Sequence, residues 1–596
     1  MRAAFVAVLF AFVLVPSAAA ATTATAPVYD SNGRLIETPF APAQPPPVLT
    51  KNRATDAFLH HPKVVDWLRR YPRTVRYDAT FKDEFRFWHV QVWSGDAGEV
   101  ASGRVDDATG VVTEAWTGPQ VAWKMARGGP GAFGGEKIND PAIWLGLCAM
   151  FLVGLANIRR PFCVRNLDLL ALLSFSVSLW YFNRGDVFTS VPLAYAPLVY
   201  LLARTAWIGF RGRVGGPADR PLWPVCALIG ATVFLAGFRI GLNIQTSNVI
   251  DVGYAGVIGA DRLVHGQAPY DHFPRQGDLK ACGPADQEGE IRERIQENGR
   301  CEASNEFGDT YGPVSYAAYV PGYLVFDWTG KWDDLPAAHA TTILFDLLCI
   351  AGLALAGLRF GGPRLGATLA FAWAAYPFTL YTSASNTNDA IFPAFLIFGF
   401  LLAATAWKRG AFCALAGWTK FASLVVAPLW LTYGRGPGRR RPLLFVAGFI
   451  ATTAVALSVL LLEPSVIEAA RTFFERTVET QVSRESPFSL WDWGQYRAAG
   501  IPDLHLVQLA LEGLVVVAAV AVAFVPRRKS PLQLAALTAA LLLGFEIVLT
   551  HWFYLYIPWF FPFVAFAVLF PAIRERVVHD EPEPSDREIR ELVAAG

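Results

Sequence analysis

Charge is what this chain has least of. Only 17% of its 596 residues are Asp, Glu, Lys or Arg, against about 25% in soluble domains. That scarcity excludes a soluble globule over the whole length. Acids and bases almost cancel, leaving a net charge of +1, which says little about partners; a nucleic-acid partner is not expected. There are seven cysteines, with no CxxC pair and no His-rich spacing of the kind that holds a metal. Nucleotide-binding glycine loops are missing too. No cofactor or metal is therefore expected. No short internal repeat is visible, and no pair of broken apolar segments recurs in two halves, the pattern of many transporters.

What is abundant is apolar surface. Hydrophobic residues make up 53% and aromatics 13% of the chain, and mean hydropathy is +0.33. Runs near 141–158, 167–183, 187–208, 222–242, 341–358, 365–383, 390–407, 443–462, 504–525, 531–550 and 553–572 approach the roughly 20 residues that cross a bilayer. The predicted fold class is mainly α: a polytopic helical membrane protein of about 11 spans plus a re-entrant segment, with a small extracytoplasmic α+β domain.

The first 21 residues have a positive Arg2, an apolar core to Pro16 and then "SAAAATTATA". They read as a secretory signal, the alternative being an uncleaved anchor helix. Residues 22–52 form a Pro/Ala-rich linker. Residues 53–130 change texture: "TDAFLHHPKVVDWLRRYP" has helical spacing, with Thr55 or Asp56 as the expected cap. "FRFWHVQVWSG", "GEVASGRV" and "VVTEAW" alternate like strands, with "DDATG" as a turn.

Lys and Arg in short loops favour the cytoplasm. The loops "RRPFCVR", "RGRVGGPADR", "RFGGPR", "WKRG", "YGRGPGRRRP" and "PRRKSP" all fall on one side if the 53–130 domain lies outside. Parity then makes Ala411 to Thr432 re-entrant, with Lys420 near its tip, because 22 residues cannot cross twice. Such backbone is tolerated where protein or a water-filled cavity surrounds it. The same count lays "YGPVSYAAYVPGYLVFDW" along the interface, where Tyr and Trp are comfortable. If one boundary is misplaced, both stretches are ordinary spans. Accessory helices would occupy 141–210, the core 222–572, and a charged cytoplasmic tail 573–596.

Polar residues gather in the outer segments. Asp251, Asp261 and Asp271 lie in "SNVIDVGYAGVIGADRLVHGQAPYDHF", followed by Cys282, Cys301 and Tyr311. Asn388 and Asp389 lie in "SNTND", Arg484 in "TQVSRESPF", and His551 in "THWFYLY". A carboxylate at the membrane exit can take a proton from an attacking hydroxyl, and Asp251 is the candidate. A leaving phosphate needs cations or donors, and Lys420, Arg484 and His551 are the candidates. Asp389 either lines the site or caps the next helix. Asp261 and Asp271 read as structural acids. His551 stands among Trp552, Tyr554, Tyr556 and Trp559, an aromatic belt in any reading. Asp346, Glu512 and Glu546 fall within spans and are explained about equally by packing and by function. Cys282 and Cys301 flank a charged stretch in an oxidising compartment and form a candidate disulfide. Ser465 to Val482 places Ile467, Ala470, Phe474, Val478 and Val482 on one helical face. This suits an interfacial helix that guides a lipid tail, or packing on the bundle.

Two resemblances follow. "VVDWLRRYP", "WHVQVWSGDAGEVASGRVDDATGVVTEAW" and "GPQVAWKMARG" resemble PepSY-type domains, which implies a binding or inhibitory module without chemistry of its own. "DVGYAGVIGADRLVHGQAPYD", "YGPVSYAAYVPGYLVF", "WAAYPFTLYTSASNTNDAI" and "ALAGWTKFASLVVAPLWL" resemble the GT-C superfamily of membrane glycosyltransferases. The likeness is closest to bacterial enzymes that use polyprenol-phosphate mannose. It implies a sugar transferase, drawing a hexose or pentose from a polyprenyl-phosphate sugar and acting on an envelope glycan or glycolipid acceptor. The expected setting is the outer face of a bacterial inner membrane, with membrane lipid as a partner. Asp251 matches the family's catalytic acid and Lys420 its lysine. Tyr254, Tyr270, Tyr311, Asn388, Asp389, Arg484 and His551 complete the expected substrate-binding set. Three extra spans and the PepSY-like module precede the resembling core and depart from the pattern. The rival readings are a transporter or flippase, a lipid-linked glycan ligase, and a PepSY-type membrane sensor.

Overall fold

The computed structural model describes residues 45–71, 75–129, 131–215, 223–286, 290–434, 440–496 and 501–571, with a strand pair at 28–29 and 35–37. The expected signal segment, the C-terminal tail beyond 571 and parts of the cationic loops lie outside the described residues. The chain divides into two compact units. One holds the N-terminal helix and most of a small sheet, and the other includes everything from Trp116 onward.

The N-terminal part of the chain has the helix Lys51–Leu59. Thr50, not Thr55 or Asp56, is its cap, accepting from the Arg53 amide at 3.3 Å. The single helix expected here is two, because Pro62 disfavours helical backbone at His61, and a second helix, Pro62–Leu68, follows. Arg76–Lys82, Phe87–Trp93, Glu99–Asp106 and Val112–Thr117 pair in sequence order as one four-stranded sheet. Asp107 ties the unit together. It accepts from the backbone amides of Val48 and Leu49, both at 3.0 Å, from Trp88 Nε1 at 3.2 Å and from Arg86 at 2.9 Å.

The large unit is a helical bundle. Six helices among the described residues are long and apolar enough to cross a membrane: Val187–Arg211, Val225–Thr246, Pro336–Ala375, Arg440–Leu462, His505–Phe524 and Pro531–Val548. Pro141–Leu155 and three C-terminal segments are apolar but shorter. Within Pro336–Ala375 the chain reverses at Gly362, whose φ of 82° only glycine adopts cheaply. The two arms then press together so tightly that a Cβ on Gly357 would lie 2.6 Å from the Gly366 backbone. The span drawn through 365–383 is broken, because Pro377 forces Tyr376 into extended backbone and a short helix, Pro377–Ala384, follows.

At the centre lies Ile557–Leu569, "IPWFFPFVAFAVL", buried on every side. Arg239 and Asp346 form a buried ion pair, which Trp373 Nε1 joins at 2.8 Å. Without such a partner a charge among these apolar helices would cost several kcal/mol.

The stretch around Lys420 is a hairpin. Ala406–Gly417 ends at Trp418, Lys420 is extended, and two short turns run from Phe421 to Thr432. Buried Arg409 clamps the two ends together, donating to the carbonyls of Trp430 at 2.7 Å and Tyr433 at 3.0 Å. The chain therefore returns to where it started, with Lys420 at the turn. The "YGPVSYAAYVPGYLVFDW" stretch forms only two short helices, Pro313–Ala317 and Val320–Phe326, with Leu324, Val325 and Phe326 exposed. Ser465 caps Val466–Phe474, which continues through a wider turn at Glu475–Glu479. Ile467, Phe474 and Val482 on this helix are exposed, so their apolar face does not pack on the bundle.

Candidate functional site

Asp251 opens the helix Asp251–Val264. That helix docks on the "SNTND" backbone through Gly253, where a Cβ would lie 2.1 Å from the Asn386 carbonyl oxygen. Asn386 holds a positive φ of 52°. Asn243 donates to its side-chain oxygen at 2.8 Å, and Asn386 donates to Ser247 Oγ and the Asn248 carbonyl, each at 2.9 Å. The turn is thus fixed from both sides, and Asp389 is carried to the same place as Asp251.

Lys420 arrives from the hairpin turn. Gly312 lies against it so closely that a Cβ would be 2.0 Å from the Trp418 carbonyl oxygen, which accepts from the Val314 amide at 3.1 Å. Tyr311 is set beside Lys420 as a result. Lys420 Nζ donates to Asp389 Oδ1 at 2.5 Å and sits 5.4, 5.2 and 5.0 Å from the ring centroids of Tyr311, Tyr556 and Trp559. Asp389 also accepts from Trp559 Nε1 at 2.9 Å and Thr387 Oγ1 at 2.7 Å. The lysine is caged between one carboxylate and three π faces.

Arg484 comes from the segment after the helix Val466–Phe474 and its continuation. Its guanidinium donates to His551 Nε2 at 3.3 Å, and Ser486 Oγ lies 2.8 Å from His551 Nδ1. Burial, with Arg484 and Lys420 nearby, pushes the imidazole pKa well below its ordinary value. His551 is therefore neutral, accepting from Arg484 and donating to Ser486. Among the described residues Arg484 makes no ion pair; its guanidinium also stands over the Trp123 ring, 5.9 Å from the centroid.

A cavity of about 580 Å³ opens beside these groups, lined by Asp251, Tyr311, Arg484, Trp123, Asn305 and Phe307, among others. Asp251 is exposed at the cavity mouth, yet the protein packed around that mouth pushes its carboxyl pKa up, against the pull of Arg484 and Lys420. Burial likewise holds Tyr311 protonated, far above the ordinary phenol range.

Asp251, Asp389, Lys420, Arg484, His551 and Tyr311 thus share one neighbourhood. Three other candidates are placed differently. Tyr254 is buried against Trp328 and Trp332, its hydroxyl donating to the Ala303 carbonyl at 2.9 Å. Tyr270 donates to the Tyr311 carbonyl at 3.1 Å and packs edge-on to Phe473. Asn388 donates to Ser315 Oγ at 2.7 Å. None of the three lines the cavity described above.

The sequence reading missed Trp123, which lies upstream of every span; its ring centroid is 6.0 Å from that of His551. It also took Tyr556 and Trp559 for interface anchors, whereas both are turned onto Lys420. Asp261 is structural, bonded by Arg300 at 2.8 Å and Tyr323 at 2.7 Å. Cys282 and Cys301 are joined in a disulfide. Among the described residues no cluster of His, Cys, Asp and Glu could hold a metal. No family model matches the chain, and no curated protein sequence matches it.

Proposed function

We propose that this protein is a membrane glycosyltransferase, moving a sugar from a polyprenyl-phosphate donor to a cell-envelope glycan or glycolipid. The reaction belongs at the extracytoplasmic face of a bacterial cell membrane. One observation carries the reading: a carboxylate with a raised pKa faces an open cavity beside a guanidinium and an ammonium, all carried by a bundle of apolar helices.

Each residue then has a task. The Asp251 carboxylate removes the proton of the acceptor hydroxyl as its oxygen attacks the anomeric carbon. The bond from that carbon to the phosphate oxygen breaks, and polyprenyl phosphate leaves. Arg484 meets the developing negative charge with a planar pair of donors, and Lys420 supplies a point charge. Neutral His551 orients Arg484 without competing for the anion. One base and one displacement imply inversion at the anomeric carbon. The exposed apolar face at Ile467 and Phe474 gives the polyprenyl tail a path from the bilayer.

The test uses purified protein in lipid, labelled polyprenyl-phosphate sugars and an envelope extract. Label transfer and release of polyprenyl phosphate are followed together. Asp251→Asn is expected to lose at least about 100-fold in transfer with the fold intact. Transfer that persists in the variant would remove Asp251 from its role. Transfer only from a lipid diphosphate would replace the transferase with a ligase.

A further inference from the structure

We infer that the cation-rich end of the bundle carries a separate binding pocket for the phosphate of an anionic phospholipid. It shares no residue with the Asp251 cavity and does not depend on the function proposed above. Three guanidinium side chains from two chain segments line a cavity of about 110 Å³: Arg159 and Arg165 from one loop and helix start, and Arg364. One water needs about 10–15 Å³, so the pocket has room for a larger group. None of its described lining residues is acidic. Arg165 also feels the Asp168 carboxylate, which is itself engaged by Arg204 at 3.1 Å and Tyr200 at 2.8 Å.

The rest of the pocket favours a lipid over a free anion. Its inner wall is aliphatic and includes Leu155, Leu228, Leu365 and Leu569. Trp223 stands at the pocket 39% exposed, its indole donating to the Val153 carbonyl at 2.8 Å while its own carbonyl accepts from Arg364 at 3.3 Å. Tryptophan held in this way is typical of the membrane–water boundary. Arg165 and Arg364 also sit in first turns, after Cys163 and Gly362, where helix dipoles add positive potential. Guanidinium groups and aliphatic side chains sharing one pocket match a phosphate diester with the adjoining lipid carbons. A soluble phosphate would leave the wall unused.

The test is native mass spectrometry of the full chain in neutral detergent, with phosphatidylglycerol or phosphatidylcholine added. An arginine near a lipid surface contributes about a five-fold gain for an anionic headgroup. Wild type is expected to retain phosphatidylglycerol about 100-fold better than phosphatidylcholine. The triple change Arg159→Gln, Arg165→Gln, Arg364→Gln is expected to erase that preference. Arg364→Gln alone is expected to lose about five-fold, and Arg364→Lys to keep most of it, which separates charge from folding. Equal retention of both lipids by wild type, or an undiminished preference in the variants, would overturn the inference. Complete displacement of phosphatidylglycerol by millimolar inorganic phosphate would assign the pocket to a soluble anion and overturn the lipid.

Discussion

Separating Lys420 from Asp389 is the sharpest perturbation that the site permits. The pair is almost dry, with the side chains 9% and 1% exposed, so solvent screening offers little relief. Breaking a buried pair by removing one partner costs about 3–5 kcal/mol, because the other charge stays behind uncompensated. Asp389→Asn leaves Lys420 on three aromatic faces, each worth on the order of 0.5–2 kcal/mol, which places the cost near 3 kcal/mol. Lys420→Met leaves Asp389 with donors from Trp559 and Thr387, and the cost is again about 3 kcal/mol. The double variant buries no charge in either place. Its loss is expected to fall below the sum of the single losses by about 3 kcal/mol, at the upper end of couplings between contacting residues. Unfolding of the four proteins in mixed detergent micelles measures the cycle. Additivity within about 0.5 kcal/mol would refute the claim that the two charges depend on each other.

Other outcomes follow from the same geometry. Asp251→Asn is expected to raise resistance to unfolding at neutral pH. A carboxyl whose pKa is raised on folding is penalised once the unfolded chain ionises, so the gain over wild type should shrink as pH falls from the raised folded pKa toward about 4 and vanish below it; a variant less stable than wild type at pH 7 contradicts this. Reducing Cys282–Cys301 reopens a loop of sequence separation 19, worth about 3 kcal/mol in the chain-entropy picture. Faster hydrogen exchange confined to about 274–303 is expected, and unchanged exchange there would contradict it. Arg409→Met removes the donors to the Trp430 and Tyr433 carbonyls, at about 1–3 kcal/mol per orphaned group. The hairpin ends should then become accessible to a protease or a thiol probe, whereas continued protection would show that Arg409 does not hold them.

Much of this protein was legible from its sequence because membranes impose simple rules. Apolar length marks the long helices, Gly362 and Pro363 mark a reversal, and Pro62 and Pro377 mark breaks that periodicity and apolar length alone run through. Lys420 stood out because 22 residues were too few to cross twice, and the fold indeed turns there. The disulfide was readable from two cysteines flanking one charged loop. The candidate cluster was legible as a list of types: an acid just after a long apolar run, cations and a histidine in later segments.

Only the tertiary structure decided which members of that list meet. Asp251, Asp389, Lys420, Arg484 and His551 come from five chain segments. They come together through close backbone approaches at Gly253 and Gly312 and through the left-handed turn at Asn386. Tyr254 and Tyr270 carry the same local signals as Tyr311, yet their segments turn them into ring contacts outside the Asp251 cavity. Trp123 had no local signal, since a tryptophan in a short turn reads the same whether it faces a wall or a cavity. Periodicity reports which face of a segment is apolar; only the packed bundle determines what that face meets.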